Sequence, residues 1–274
     1  MPSRITPQQL AKALNRNVET VDARLAEFVR SGDSPSTAAL RRAVRRLLTT
    51  YSVLPKSARK GKRVRRYVSL AREVAKAVGR IRDVDTIASW TMQLSEGKDK
   101  RSFLSDLAKL RSGNMRVAVK EAKDLSKANR PSIDVDDVRG KDAARRVGKV
   151  ERRLSKRVDK EFEEFLETQE VDVMHALRKD SKRLRHLLEL VAREESPAFL
   201  ARLQSIQDDL GAIRDHDLVI AYLRKRVRLT STGLLIREEI AKRHARLEDF
   251  VTKNRGQGHL VPAPAKPQVA THAH

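Results

Sequence analysis

The chain has 274 residues and carries 59 Lys and Arg against 36 Asp and Glu, a formal charge of +23 at neutral pH. That excess draws polyanions or anionic membranes and works against the compact state through self-repulsion. With 39% hydrophobic and 4% aromatic residues the chain can build helical cores but is poorly supplied for a sheet sandwich, and the absence of cysteine removes disulfides, thiolate metal sites and cysteine nucleophiles.

The opening MPSRITPQQL lacks the apolar core of a signal peptide, and no run approaches the length of a membrane span. The expected location is cytoplasmic, with no membrane partner. Leu10, Leu14, Val18, Val21, Leu25 and Phe28 keep a helical period up to Gly32. SGDSPS then breaks the chain, and Ser34-Pro35 or Ser36 can open a second helix carrying Leu40, Val44, Leu47, Leu48 and Tyr51 on one face. Pro55 ends it. A long helix is predicted from about Ser57 through Trp90, interrupted or bent near Gly79. Glu96 to Lys100 reads as a loop and about Ser102 to Lys127 as a further helix.

ANRPSIDVDDVRG, from Ala128 to Gly140, is polar, holds Pro and Gly and has no period, which marks a linker. Helical pattern resumes at Lys141 and runs to Glu195 with a boundary near Glu170. Ser196-Pro197 opens the next helix, Thr230 to Gly233 breaks it, and a last helix reaches about Asn254. The Pro-rich stretch from Gly256 is expected to be disordered. No strand alternation persists. The predicted class is all-α, with residues 1–127 and 141–255 as two helical halves, 128–140 as linker and 256–274 as tail.

The two halves share motifs. Leu40-Arg41-Arg42-Ala43-Val44-Arg45-Arg46-Leu47 lies over Leu177-Arg178-Lys179-Asp180-Ser181-Lys182-Arg183-Leu184, cation on cation and leucine on leucine. GRIRDVD, Gly79 to Asp85, matches GAIRDHD, Gly211 to Asp217, and Tyr67 falls on Phe199 in between. Two motifs recurring in one order point to an internal duplication, with the linker between the copies.

On a helical wheel with Arg41 at zero, Arg45, Arg42 and Arg46 fall at about 40°, 100° and 140°, opposite the apolar residues. Arg178, Lys182, Lys179 and Arg183 repeat that arc, and His175 and His186 fall among them. A solvated basic face ordinarily has acids at i±4 that neutralise it. The first helix has none between Ala38 and Ser52, and the second has only Asp180 and Glu189. Arginine suits phosphate because its planar fork donates two bonds to two oxygens.

The run His175-x-x-Arg178-Lys179-x-x-Lys182-Arg183-Leu184-Arg185, followed by Leu203-Gln204 and by Leu210-Gly211-x-x-Arg214-Asp215-x-Asp217, resembles the CHAD family, the conserved-histidine α-helical domain. The likeness spans about Val18 to Asn254. It implies two helical bundles related by a pseudo-two-fold around a basic cavity, binding of inorganic polyphosphate, and in some members association with polyphosphate granules. One departure is Ala38, which stands where the first copy would carry its own histidine. The family's frequent companion, a triphosphate tunnel domain with Glu-x-Glu-x-Lys on a strand, has no counterpart: EFEE at Glu161 to Glu164 falls on a helix and lacks the lysine.

Other motifs carry less. Asp83 with Asp85 and Asp215 with Asp217 could hold magnesium, but are expected to position Arg82, Arg214 or other arginines, or to cap a helix. No metal or cofactor and no catalytic residue is expected. Thr6 to Val29 can be written as a helix-turn-helix, with Asp22 and Glu27 diluting its charge. The reading is therefore a non-catalytic polyphosphate-binding domain. Its main contacts would be Arg41, Arg42, Arg45, Arg46, His175, Arg178, Lys179, Lys182, Arg183 and Arg185. Lys62, Arg63, Arg66, Arg82 and Arg214 form a second rank. A nucleic-acid-binding helical protein is the alternative, and an enzyme of polyphosphate turnover ranks third.

Overall fold

A computed structural model describes residues 5–138, 140–191, 197–226 and 232–261. Among them the secondary structure is helical, without a strand: α1 (Pro7–Ser31), α2 (Ser34–Val53), α3 (Lys56–Lys60), α4 (Lys62–Met92), α5 (Lys98–Ser126), a 3-10 turn (Val135–Asp137), α6 (Gly140–Thr168), α7 (Val171–Leu190), α8 (Pro197–Arg224) and α9 (Thr232–Asn254). The all-α expectation holds.

The helix ends follow local chemistry. Thr6 and Gln9 form a reciprocal capping box at the start of α1, with Pro7 in the first turn. Gly32 ends α1 with φ 59°, a left-handed conformation that costs glycine nothing. Asp33 then caps α2 by accepting from the Ser36 amide at 2.7 Å, one residue before the serines expected to do so. From its cap at Thr6 through Val29 this stretch is one unbroken helix, which leaves no turn for a helix-turn-helix.

Two boundaries differ from the periodicity reading. The long helix breaks at Gly61 and runs straight through Gly79. A lone interior glycine costs only about 1 kcal/mol, and the fully buried Val78 and Ile81 beside it contribute about 1.5–3 kcal/mol each. α5 begins at Lys98, inside the stretch expected to be loop. The Lys100 ammonium explains this: it donates to the Met92 and Leu94 carbonyls at 3.0 Å each, closing the end of α4, and to Glu96 at 2.7 Å.

α1, α2, α4 and α5 pack in a ring, and α6, α7, α8 and α9 pack in succession, with Phe250 of α9 closing against Phe162 and Phe165 of α6. α2 also meets α7, and α4 meets α8. One hydrophobic core runs through both sets, from Leu10 of α1 to Phe250 of α9; a smaller cluster of Val84, Ile87, Phe103, Leu107, Val219, Tyr222 and Leu223 joins the far ends of α4, α5, α8 and α9. The linker is tied down by this packing: Ile133 and Val138 are buried, and Ile133 exchanges two hydrogen bonds with Asn15 of α1. The first residues of the expected tail are also docked. Leu260 is buried, and the Val261 amide donates to Asp159 of α6 at 2.7 Å. Ser196, Thr230 and residues 262–274, on which further expectations fell, lie outside the described residues.

Candidate functional site

α2 and α7 cross where the fold turns from one set of helices to the other, and each brings a cationic edge to the crossing. Leu40, Val44 and Leu47 of α2 and Leu177, Leu184 and Leu187 of α7 are buried, so their helices are fixed in rotation. That rotation leaves Arg41, Arg45, Arg178 and Lys182 half-buried in one shared cluster. α4 and α8 close it with Arg82, Asp83, Arg214 and Asp215. The counter-charges are exchanged crosswise: Arg214 Nη2 of α8 donates to Asp83 Oδ1 of α4 at 2.8 Å, and Arg82 Nη2 of α4 stands 3.9 Å from Asp215 of α8.

Burial and mutual repulsion act on these cations together. Burial, followed by the charges of Arg41 and Arg178, pulls the Arg45 guanidinium down to about 10. Burial, then Arg214 and Arg41, pulls Arg178 down to about 10. Both remain charged at neutral pH, as guanidinium does in proteins. Lys182 is lowered furthest, to about 7, by burial and then by Arg178, Arg45, Arg41 and Arg214. Arg178 Nε is buried without a hydrogen-bond partner, an open donor inside the cluster.

The remaining expected contacts divide among several places. Arg42 and Arg46 lie on the flank of α2 that faces α1, where they line a cavity of about 680 Å³ with His186 and Glu189 of α7. Burial lowers the His186 imidazole below its ordinary value; Glu189, 3.4 Å away, opposes this, and Arg185 and Arg46 reinforce it. Lys179 and Arg183 lie on the other flank, toward α6, where Arg183 lies within electrostatic reach of Arg146. Arg185 turns to Gln204 of α8 and to Glu189, 3.7 Å away. His175 is exposed in the first turns of α7. Lys62, Arg63 and Arg66 are exposed at the start of α4; Arg66 is 16 residues from Arg82, about 24 Å along the axis at the α-helical rise. They do not join the cluster.

The paired aspartates serve arginines. Two residues apart on a helix, Asp83 and Asp85 point away from each other: Asp83 takes Arg214, and Asp85 accepts from Arg111 Nε of α5 at 2.8 Å. Asp217 accepts in the same way from Arg243 of α9, 26 residues on, just as Arg111 lies 26 residues after Asp85. Among the described residues no group of three or more His, Asp or Glu side chains could hold a metal ion. His216 bonds to the buried Glu239 at 2.7 Å, away from the cluster.

Sequence reasoning missed the cations that other helices bring to α2 and α7. Lys12, Arg16 and Arg24 of α1 line the cavity beside Arg42 and Arg46, and Arg59, Arg146 and Arg153 gather near Arg183. Lys12 and Arg16, one turn apart on the polar face of α1, were the available signal.

A family-wide sequence profile described as "CHAD domain" matches residues 12–224. The chain belongs to the CHAD family. Two solved structures share the fold. The CHAD domain from the plant Ricinus communis aligns with a TM-score of 0.70 at 15% identity, covering 92% of each chain. PptA from Streptomyces chartreusis aligns with a TM-score of 0.65 at 15% identity, covering 91% of this chain and 98% of that one. At such identity the likeness speaks for the fold alone. No curated protein sequence matches. Among the described residues no helix is long and apolar enough to cross a membrane.

Proposed function

We infer that this CHAD domain binds inorganic polyphosphate, without chemistry on it, in the cluster between α2 and α7. One observation carries the reading. Six cations from four helices, Arg41, Arg45, Arg82, Arg178, Lys182 and Arg214, face one another with Asp83 and Asp215 as their counter-charges, and one buried Arg178 donor has no partner. Buried charge of one sign is unfavourable by itself and becomes favourable when an anion supplies the missing oxygens. A chain of phosphates offers such oxygens at every unit, and the family's implied ligand has that chemistry. The large aromatics Phe28, Tyr67, Phe103, Phe162, Phe165 and Phe250 are spent in the core, which argues against a base-stacking nucleic-acid surface.

The two helical sets are read as an internal duplication. The crosswise Arg82–Asp215 and Arg214–Asp83 contacts, and the equal spacing of the Asp85–Arg111 and Asp217–Arg243 pairs, support that reading. It explains why both halves contribute to one anion site.

The test is a titration with long-chain polyphosphate at fixed salt, repeated in the presence of duplex DNA and of RNA. Polyphosphate is expected to displace both nucleic acids from the protein. Nucleic acid that binds more tightly than polyphosphate overturns the reading in favour of a nucleic-acid-binding protein.

A further inference from the structure

Only Gln169 and Glu170 separate α6 from α7, and the two helices pack against each other as a hairpin. Their interface buries more carboxylate than it can pair. Asp180 of α7 is 4% exposed; its Oδ2 accepts from Arg157 of α6, and its Oδ1 is buried without a partner. Glu161, one turn after Arg157, reaches the same pair, and its Oε2 is also buried without a partner. Among the described residues Arg157 is the only cation within ion-pair distance of either carboxylate. The first half of the chain has no such pair, since Ala43 stands at the position matching Asp180.

Two ionised carboxylates against one guanidinium leave a negative charge uncompensated where water does not reach the oxygens. A carboxyl in that position takes up a proton more readily than it stays charged. On Glu161 the proton does two things: it removes the surplus charge, and it supplies an O–H donor for the Asp180 oxygen that lacks one. Burial, and next the charge of Asp180, push the Glu161 carboxyl up to about 7. Arg157 of its own helix and Lys179 of α7 oppose this, and Glu164 of its own helix adds to it. The Arg157 side chain is 43% exposed, so solvent meets the edge of the pair and the proton can exchange.

We propose that Glu161 and Asp180 form a proton-operated latch between α6 and α7: Glu161 keeps a proton on the acid side of neutrality and donates it to Asp180 Oδ1, and loss of that proton loosens the hairpin. The latch bears on the helix that carries Arg178 and Lys182, and it stands whatever anion those residues take. The sign follows from the direction of the shift. The folded chain holds the Glu161 proton more tightly than the unfolded chain, where the carboxyl has its ordinary value of 4.5. The latch is therefore whole below about 4.5, weakens as pH rises toward about 7, and is open above that. Lys182 acts in the next window up and with the opposite sign, so the two are separable.

The experiment compares full-length wild type with Glu161→Gln, whose side-chain amide carries a donor and no charge at any pH, a fixed copy of the closed latch. Urea denaturation is followed from about pH 5 to about pH 8, and the difference between the two proteins cancels the other titrating groups. Relative to the Gln variant, the unfolding constant of wild type should rise about tenfold or more over that range, a fraction of the full shift because the pair is screened at its edge. Amide hydrogen exchange in α6 and α7, corrected for intrinsic rates, should quicken over the same range in wild type and not in the variant. Carbon-13 NMR of the folded wild type should show the Glu161 carboxyl titrating well above 4.5, and Asp180→Asn should lower that midpoint by removing the neighbouring charge. The inference is overturned by a Glu161 midpoint in the ordinary range, by parallel stability profiles in wild type and Glu161→Gln, or by a midpoint that Asp180→Asn leaves in place. The titration is read on wild type, so it decides the matter even if a variant fails to fold.

Discussion

If the cluster binds polyphosphate as proposed, Lys182 should make that binding depend on pH in a calculable way. Its ammonium is held at about 7 by burial and by the arginines around it, against an ordinary 10.5. A bound phosphate chain leaves the burial in place but offsets it, since it neutralises those arginines and accepts from the ammonium itself. If binding restores the ordinary value, the protein takes up about 0.9 proton at pH 8, and affinity falls about 50-fold between pH 7 and pH 9, close to 2 kcal/mol. The ligand adds no slope of its own there, because a terminal phosphate loses its last proton near 6. Calorimetry in two buffers of different ionisation enthalpy reads the proton uptake directly, and Lys182→Met should abolish most of the pH dependence. Stability of the free protein should move the other way. The unfolded chain binds the proton more tightly than the folded one, so this group opposes folding fully below about 7, and the penalty shrinks as pH rises toward 10.5. An affinity that stays flat from pH 7 to 9, or the same slope in Lys182→Met, would refute the reasoning.

Ionic strength should act as it does on other polyanion complexes: log K for long chains falls linearly and steeply with log salt, and a flat response would remove phosphate contacts as the source of affinity. Asp217→Ala strands Arg243, and Asp85→Ala leaves Arg111 only its bond to the Gly32 carbonyl; each should lower stability by about 1–3 kcal/mol in thermal or urea denaturation, with an unchanged midpoint counting against the pairing. Polyphosphate incubated with the protein and magnesium should keep its length on a gel, since the cluster presents donors and no organised nucleophile. Shortening that disappears in Asp83→Ala or Asp215→Ala would expose an active site.

The part of the fold that was legible in the sequence was carried by period and by breaks. Leu10 to Phe28, closed by Gly32, gave α1 nearly to the residue, and the leucines of α2 and α7 fixed which arc of each helix is cationic. Gly79 misled because glycine is weakly unfavourable in a helix and the tertiary burial of its neighbours overrides it. Lys100 was unreadable because its role, capping the carbonyls at the end of α4, is a contact that no local pattern encodes. Isolated Ile133 and Leu260 look like residues of loop and tail, and only the packed helices give them somewhere to bury. The candidate site divides likewise. Arg41, Arg45, Arg178 and Lys182 followed from the repeated motif, and the Asp83 and Asp215 contacts from its second half. The sequence could not say that Arg42 and Arg46 face a groove completed by Lys12 and Arg16 of α1, nor that Lys62, Arg63 and Arg66 lie at the far end of α4, because both depend on how the helices cross.

The central claim is that α2 and α7 hold one anion together. Long-chain polyphosphate should be titrated against wild type, Arg41→Glu/Arg45→Glu and Arg178→Glu/Lys182→Glu, with helicity followed by circular dichroism. Both variants should keep their helicity and each should lose at least about tenfold in affinity, from a deleted donor and an added repulsion at each position. If either variant folds and binds long chains as well as wild type, the two basic helices do not share a ligand.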